Sequence, residues 1–323
     1  MHQISRRRFV ALTAAGAAGA PFELSRQPAA AITAQEIVDR IKKNVGVQWK
    51  AETADTFKAG EPATAVKGIA TTAMATMAVL KEAVQSGANM VITCEPTFYG
   101  RADTPTPPPR RGAGPGVAGR GAPTAAGARG AVNATAAESL ADPVFAAKDD
   151  FIRKNNLVVW RFSDHWRLRT PDPLAMGLTD ALGWARFRSA DDPARPIIPE
   201  NSLRALASEI KKRLNARGGI RVIGDPQTRV QKIGVLPGAT PIQASLKTLP
   251  DVDVIVAGEV REWESVEYAR DSVTAGGRKG LILLGRIVSE DPGMNVCAQW
   301  LRTLVPELTT TWIPVGDPYW RPL

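Results

Sequence analysis

In the first hundred residues, stretches in which apolar residues recur with helical spacing alternate with short continuous apolar runs. Thr33 and Glu36 have the spacing of a capping box, and apolar residues then recur every three or four positions, which predicts an amphipathic helix. Apolar runs at 65–72 and just before Cys94 predict two buried strands, and the stretch 73–87 between them predicts a helix. A strand, a helix and a second strand in this order predict a parallel sheet, with a ligand crevice at the carboxyl ends of its strands.

The same alternation resumes after residue 140 and continues almost to the end of the chain. Stretches with helical spacing are interleaved with short apolar runs, including "NLVVWRF", "DVDVIVAGEV" and "GLILLG". Repeated alternation of strands and helices is typical of α/β proteins with mainly parallel sheets. The sequence therefore predicts the α/β class.

Residues 101–136 interrupt this pattern. They are rich in Pro, Gly, Ala and Arg and contain almost no large apolar side chains. Because such a segment has little apolar surface to bury, we predict a disordered surface insertion. An arm that binds a partner is the alternative interpretation.

The first 31 residues have the character of an export signal. Arg6 and Arg7 precede Phe9 and a weakly apolar run of Ala and Gly, which resembles a twin-arginine signal. The run is shorter than the roughly 20 residues that a membrane-spanning helix needs, and the rest of the chain offers no span. We therefore expect residues 1–31 to direct the protein to the periplasm or another extracytoplasmic compartment.

The basic residues do not indicate a nucleic-acid-binding protein. The formal net charge is +9, but many of the arginines lie in segments 1–31 and 101–136, outside the predicted core. No basic patch is left on that core to bind a phosphate backbone, so we expect no nucleic-acid partner. The chain has two cysteines, Cys94 and Cys297, and two separate thiols are favoured over a disulfide.

Four segments, in this order along the chain, resemble those of the Nif-three-like family, also called GTP cyclohydrolase 1 type 2 homologues. They are "GANMVITCEPTFY", "VVWRFSDHWRLR", "DVDVIVAGEVREWESVEYARDSV" and "GLILLGRIVSE". The resemblance implies two interleaved α/β domains, a first one of residues 32–168 and 284–323 and a second one of residues 169–283. It also implies a dinuclear metal centre and a homo-oligomer, with the hexameric ring of many family members as one form.

The family's metal ligands are only partly retained in this sequence. The family's two adjacent histidines correspond to Cys94 and Glu95, and a histidine four residues before a ligand glutamate corresponds to Arg286, with Glu290 retained. A further motif of a histidine with an aspartate four residues later corresponds to His165 and Arg169.

Two arginines at ligand positions change the chemistry of the site. Because a guanidinium has no lone pair to donate and stays charged, Arg169 and Arg286 cannot coordinate a cation. We interpret the site as a former metal centre, without a metal cofactor, in which the two guanidiniums bind Glu95 and Glu290 by charge-assisted hydrogen bonds. A single Zn²⁺ held by Cys94, Glu95, His165 and Glu290 is the alternative.

Three functional hypotheses follow from this interpretation. The first is an exported Nif-three-like protein that binds a small anionic molecule through the Arg and Glu cluster. The second is a metal-dependent hydrolase of a cyclic amide or nucleotide-like substrate, as the family's name implies, with a metal-activated water as nucleophile. The third is a non-enzymatic ring that serves as a scaffold.

Overall fold

The computed structural model describes residues 31–100, 103–104, 142–189, 192–320 and 322. The chain from Ile32 onward forms one compact unit. The predicted export signal and nearly all of the predicted insertion lie outside the described residues. Among the helices described, none combines the length and the apolar character needed to cross a membrane.

The described residues form ten strands and nine α-helices, in the alternating order that the sequence predicts. The strands are β1 Phe57–Ala59, β2 Gly68–Thr72, β3 Met90–Thr93, β4 Val158–Arg161, β5 Ile197–Ser202, β6 Arg221–Ile223, β7 Arg229–Ala239, β8 Val254–Glu259, β9 Gly280–Leu283 and β10 Thr309–Trp312. The helices are α1 Ala34–Asn44, α2 Met77–Gln85, α3 Pro143–Lys154, α4 Asp164–Arg167, α5 Pro173–Ala181, α6 Leu203–Arg213, α7 Ile242–Thr248, α8 Glu267–Thr274 and α9 Arg286–Leu304.

The first sheet has the strand order β1-β4-β3-β2-β10. The pairs β2–β3, β3–β4 and β2–β10 are parallel, and β1 is antiparallel to β4. Every residue of β2, β3 and β4 is buried, which explains why these strands appear in the sequence as largely apolar runs without polar alternation. The carboxyl ends of β3 and β4 therefore meet at one edge of the sheet, where Thr93 pairs with Arg161.

The second sheet has the strand order β5-β7-β8-β9-β6. Its central pairs, β7–β8 and β8–β9, are parallel, whereas the two edge strands run antiparallel to their neighbours. The mixed α/β fold is thus confirmed, although parallel pairing predominates only in the first sheet. Residues 32–323 form a single compact unit. The boundaries of the two predicted domains stay a prediction.

Helix α9 lies close to elements of both sheets and to α5. It contacts β2 and β10 of the first sheet and β7 and β8 of the second. Its contact with α5 depends on small residues, because a Cβ added to Gly177 would lie 2.4 Å from the backbone of Pro292. The first turn of α9 lies at the edge where β3 and β4 end, since Arg286 contacts Glu95 there.

Candidate functional site

The end of β3 places a thiol and a carboxylate at the edge of the first sheet. Cys94 donates its backbone N–H to the carbonyl of Thr72, and Glu95 donates its own to the carbonyl of Ala73. Both residues therefore continue the pairing of β3 with β2. Both side chains are buried. The sequence-based prediction of a buried strand that stops at two polar residues agrees with this geometry.

Helix α9 brings a second carboxylate to the same point. Arg286 is its first residue and Glu290 lies one turn further on, so both side chains share a face. Glu290 has no exposed surface. The reactive atoms of Cys94, Glu95 and Glu290 lie within 4.8 Å of one another.

Arg167, which the sequence analysis did not select, occupies the centre of this group. Its Nη2 donates to Oε1 of Glu290 at 2.6 Å, to Oε1 of Glu95 at 2.9 Å and to Sγ of Cys94 at 3.3 Å. A metal ion bound by these three residues would have to stand where the guanidinium nitrogen stands. The residues present therefore do not fit the dinuclear metal centre that the resemblance implies.

Arg286 bonds the other side of Glu95. Its Nη2 lies 2.8 Å from Oε2 and 2.9 Å from Oε1 of Glu95, and its Nε lies 3.7 Å from Oε1 of Glu290. Glu95 is thus held between two guanidiniums, as charge-assisted hydrogen bonding predicts for a desolvated carboxylate. We call Cys94, Glu95, Arg167, Arg286 and Glu290 the Arg–Glu cluster.

A glycine of the second sheet closes the Arg–Glu cluster. Gly238, near the end of β7, has φ +79°, and a Cβ at this position would lie 2.2 Å from Oε1 of Glu290. Its N–H donates to Oγ of Ser289 at 2.9 Å, which fixes β7 against the first turn of α9. Only a residue without a side chain allows this approach.

Burial controls the protonation states in the cluster. Burial raises the pKa of the Cys94 thiol to about 12, so the thiol is neutral near pH 7. Burial also raises the pKa of Glu290 to about 7; Arg167 opposes this shift, and the negative charge of Glu95 adds to it. The pKa of Arg167 is lowered by burial but raised more strongly by Cys94, Glu290 and Glu95, so this guanidinium stays charged.

His165 does not lie in the cluster. The ring is fully buried, with Nδ1 2.7 Å from Oδ2 of Asp55 and Nε2 accepting the backbone N–H of Lys50 at 2.9 Å. It also stacks on Trp49, with ring centroids 3.7 Å apart. Both ring nitrogens therefore have hydrogen-bond partners in the core. Among the described residues, the group that could hold a metal contains Cys94, Glu95 and Glu290 but not His165, which the Zn²⁺ alternative requires.

Arg169 is also outside the cluster, and the expectation that it bonds a site carboxylate is wrong. Its guanidinium lies over the rings of Trp166 and Trp300, 5.1 and 4.6 Å from their centroids. The physical reason is the helical turn of α4. Ser163 and Arg167 lie four residues apart on the face towards Cys94, and their side chains approach at 3.4 Å.

A local signal for Arg167 does exist in the sequence. "SDHWR" begins with Ser and Asp, which favour a helix start, and the position one turn after Ser163 is Arg167.

The expectation of two separate thiols is confirmed, because Cys94 and Cys297 are both free and buried.

Comparison with solved structures identifies the fold class. No family model and no curated protein matches the chain. Protein SA1388 of Staphylococcus aureus matches with a TM-score of 0.62 and 13% identity, over 90% of this chain and 99% of that one. A Bacillus cereus protein related to NIF3 matches with a TM-score of 0.61 and 12% identity, over 89% of this chain and 98% of that one.

A third solved structure, protein ybgI of unknown function, has a TM-score of 0.58 and 19% identity, with 89% of this chain and all of that one covered. These likenesses span nearly the whole of the solved chains. The chain therefore has the Nif-three-like fold that the sequence resemblance implies.

Proposed function

We propose that this Nif-three-like protein works without a metal at the Arg–Glu cluster and binds a small anion there. The observation that carries the proposal is the position of Arg167 Nη2, which bonds Cys94, Glu95 and Glu290 together. A guanidinium supplies the positive charge that a cation would supply to these groups, but it also offers N–H donors to a ligand.

The charge balance of the cluster favours an anionic ligand. Two guanidiniums face two carboxyl groups, and the raised pKa of Glu290 keeps one of these carboxyls protonated below about pH 7. The cluster then has one uncompensated positive charge. An anion that enters would restore neutrality in a partly desolvated site, where charge pairing is stronger than in water.

Arg286 offers the most accessible donors of the cluster. Its side chain is 38% exposed, compared with 29% for Arg167, and its buried Nε has no hydrogen-bond partner in the described structure. It also begins α9, whose N-cap Gly285 provides no side-chain cap. The unsatisfied N–H groups and the dipole of a helix start add to the attraction for an anion.

Metal analysis and a titration with inorganic phosphate test this proposal together. Protein purified from its native compartment should contain far less than one equivalent of transition metal. Phosphate should bind saturably, and Arg286→Gln should weaken its affinity by about tenfold or more, the equivalent of about 1.4 kcal/mol.

Arg270→Gln is the matched control, because Arg270 forms an exposed ion pair with Glu267 away from the cluster. It should leave phosphate affinity unchanged. Stoichiometric metal in the native protein would instead support the hydrolase hypothesis, and phosphate affinity equal in both variants would contradict anion binding at the cluster.

We also propose that the protein acts outside the cytoplasm. This rests on Arg6, Arg7 and Phe9 in the N-terminal segment, which have the spacing of a twin-arginine signal. That route exports folded proteins, so a site already assembled around Arg167 would reach the periplasm intact.

A further inference from the structure

Arg169 is a partly buried cation without a counter-ion among the residues that the structure describes. No described carboxylate forms an ion pair with it, and its buried Nη1 has no hydrogen-bond partner. Burial lowers its pKa, and among the described residues only Cys297 opposes this shift; burial raises the pKa of that thiol, which is therefore neutral. An isolated charge of this kind costs stability unless something pairs with it.

Arg169 lines a recess of about 270 Å³ between the segment that follows α4 and the face of α9. Trp166 and Trp300 form part of the wall and hold the guanidinium by cation–π contacts. The indole N–H of Trp166 is a second buried donor without a partner, although Trp166 is only 1% exposed. Arg169 and Trp166, two residues that line the recess, thus each have one donor without a partner in the described structure.

The rest of the wall is mainly apolar. Pro171, Pro173, Met176 and Val296 contribute carbon surface, and Gln299 stands at the exposed rim of the recess. A ligand that satisfies this lining needs an anionic acceptor at one end and an apolar body at the other. The volume lies below the usual range of ligand pockets, about 300–1,000 Å³, so only a small molecule fits.

We propose that this recess binds a small carboxylic acid with an aromatic or branched aliphatic body. The carboxylate accepts from the Arg169 guanidinium, and the apolar body packs on the proline, methionine and valine side chains and on the indole of Trp300. A carboxylate matches the two parallel donors of a guanidinium, whereas a neutral amide leaves the charge of Arg169 uncompensated.

This site is separate from the Arg–Glu cluster. Arg167 and Arg169 are two residues apart, but the first faces Cys94 and the second faces Trp300. The proposal therefore does not depend on the proposed function, and the two can fail independently.

Calorimetric titration with benzoate tests the proposal, with benzamide as the neutral isostere. Benzoate should bind the natural protein with a Kd of about 1 mM or lower, and benzamide should bind at least about tenfold more weakly. Arg169→Gln should reduce benzoate affinity by about tenfold or more. Arg186→Gln is the control, because Arg186 also stacks on an aromatic ring, that of Phe187, but lies outside the recess.

A second variant keeps Arg169 and so remains informative if Arg169→Gln does not fold. Gln299→Glu adds a carboxylate at the rim, which should pair with Arg169, raise the melting temperature and exclude benzoate. Arg286→Gln should leave benzoate affinity unchanged, since Arg286 belongs to the Arg–Glu cluster.

Three results would overturn the proposal. They are the absence of saturable benzoate binding to the natural protein, equal affinity for benzoate and benzamide, and unchanged benzoate affinity in Gln299→Glu. The last result would mean that the guanidinium only packs on the two tryptophans.

Discussion

Arg167 donates a hydrogen bond of 2.6 Å from its Nη2 to Oε1 of Glu290, a side chain with no exposed surface. The same nitrogen bonds Glu95, so one guanidinium donates to two buried carboxyl groups. This contact determines how the stability of the fold depends on pH. The guanidinium also occupies the position at which a metal ion would otherwise bind.

Replacing Arg167 should therefore destabilise the fold strongly. In Arg167→Met the carboxyl groups of Glu95 and Glu290 lose their shared donor, and we expect a loss of about 3–5 kcal/mol near pH 8. The loss should be smaller near pH 5, because Glu290 is then protonated. Urea unfolding at both pH values measures the difference, and Arg186→Gln, an exposed arginine, should cost about 0.5 kcal/mol or less.

Removal of the same guanidinium should create metal affinity. Arg167→Ala leaves Cys94, Glu95 and Glu290 within 4.8 Å of one another without the guanidinium that bonds all three, while Arg286 still pairs with Glu95. A thiol and two carboxylates are a donor set that suits Zn²⁺. We expect the variant to bind about one Zn²⁺ and the natural protein to bind it much more weakly, as measured by competition with a chromophoric chelator. Addition of Cys94→Ser should abolish the gain, and equal Zn²⁺ affinity in natural protein and Arg167→Ala would contradict it.

The sequence predicted part of this site from one local feature and one resemblance. A strand that ends at Cys94 and Glu95 follows from a continuous apolar run. Arg286 and Glu290 come from the family's ligand motif, and the structure places them one turn apart in α9. The resemblance points to Arg169, at the position of the family's aspartate, because it does not show which side chain the short helix α4 turns towards the cluster; in the structure that residue is Arg167. The approach of Gly238 to Glu290 is a contact between distant segments and has no local signal.

The insertion should be dispensable only from residue 105 onward. Asp103 was included in the predicted disordered segment, but it is buried, and its Oδ1 accepts the backbone N–H of Phe98 at 2.8 Å. This corrects the predicted start of the insertion, because a buried acceptor fixes the chain to the core at that point.

We expect replacement of residues 105–136 by a short Gly and Ser linker to leave the melting temperature nearly unchanged, since the segment has little apolar surface to bury. Asp103→Ala should lower the free energy of unfolding by about 1–3 kcal/mol, because the buried N–H of Phe98 loses its partner. A large loss of stability in the linker variant would indicate that the segment packs on the core or on another subunit.

Export should depend on the paired arginines near the N-terminus. Changing Arg6 and Arg7 to Lys should retain the protein in the cytoplasm, because the twin-arginine route recognises the pair and not the charge alone. Cell fractionation measures the distribution. Undiminished export of the double variant would show that the route for unfolded chains is used.

Glu95 and Glu290 should respond oppositely to replacement by glutamine. Burial raises the pKa of Glu290 from 4.5 to about 7. Between these pH values the carboxyl group is ionised in the unfolded chain but still protonated in the folded protein. The unfolded state then binds fewer protons than the folded state, and stability falls as the pH rises through this window. Glu290→Gln removes this titration, keeps an acceptor for Arg167, and should gain stability over the natural protein between about pH 5 and pH 8.

Glu95→Gln should instead destabilise the protein near pH 7 by about 3–5 kcal/mol, because Arg167 and Arg286 both donate to this carboxylate. Urea unfolding of the natural protein and both variants across this pH range separates the two effects. If the natural protein and Glu290→Gln have the same dependence of unfolding free energy on pH, Glu290 is ionised throughout, and the cluster has no net positive charge to offer an anion.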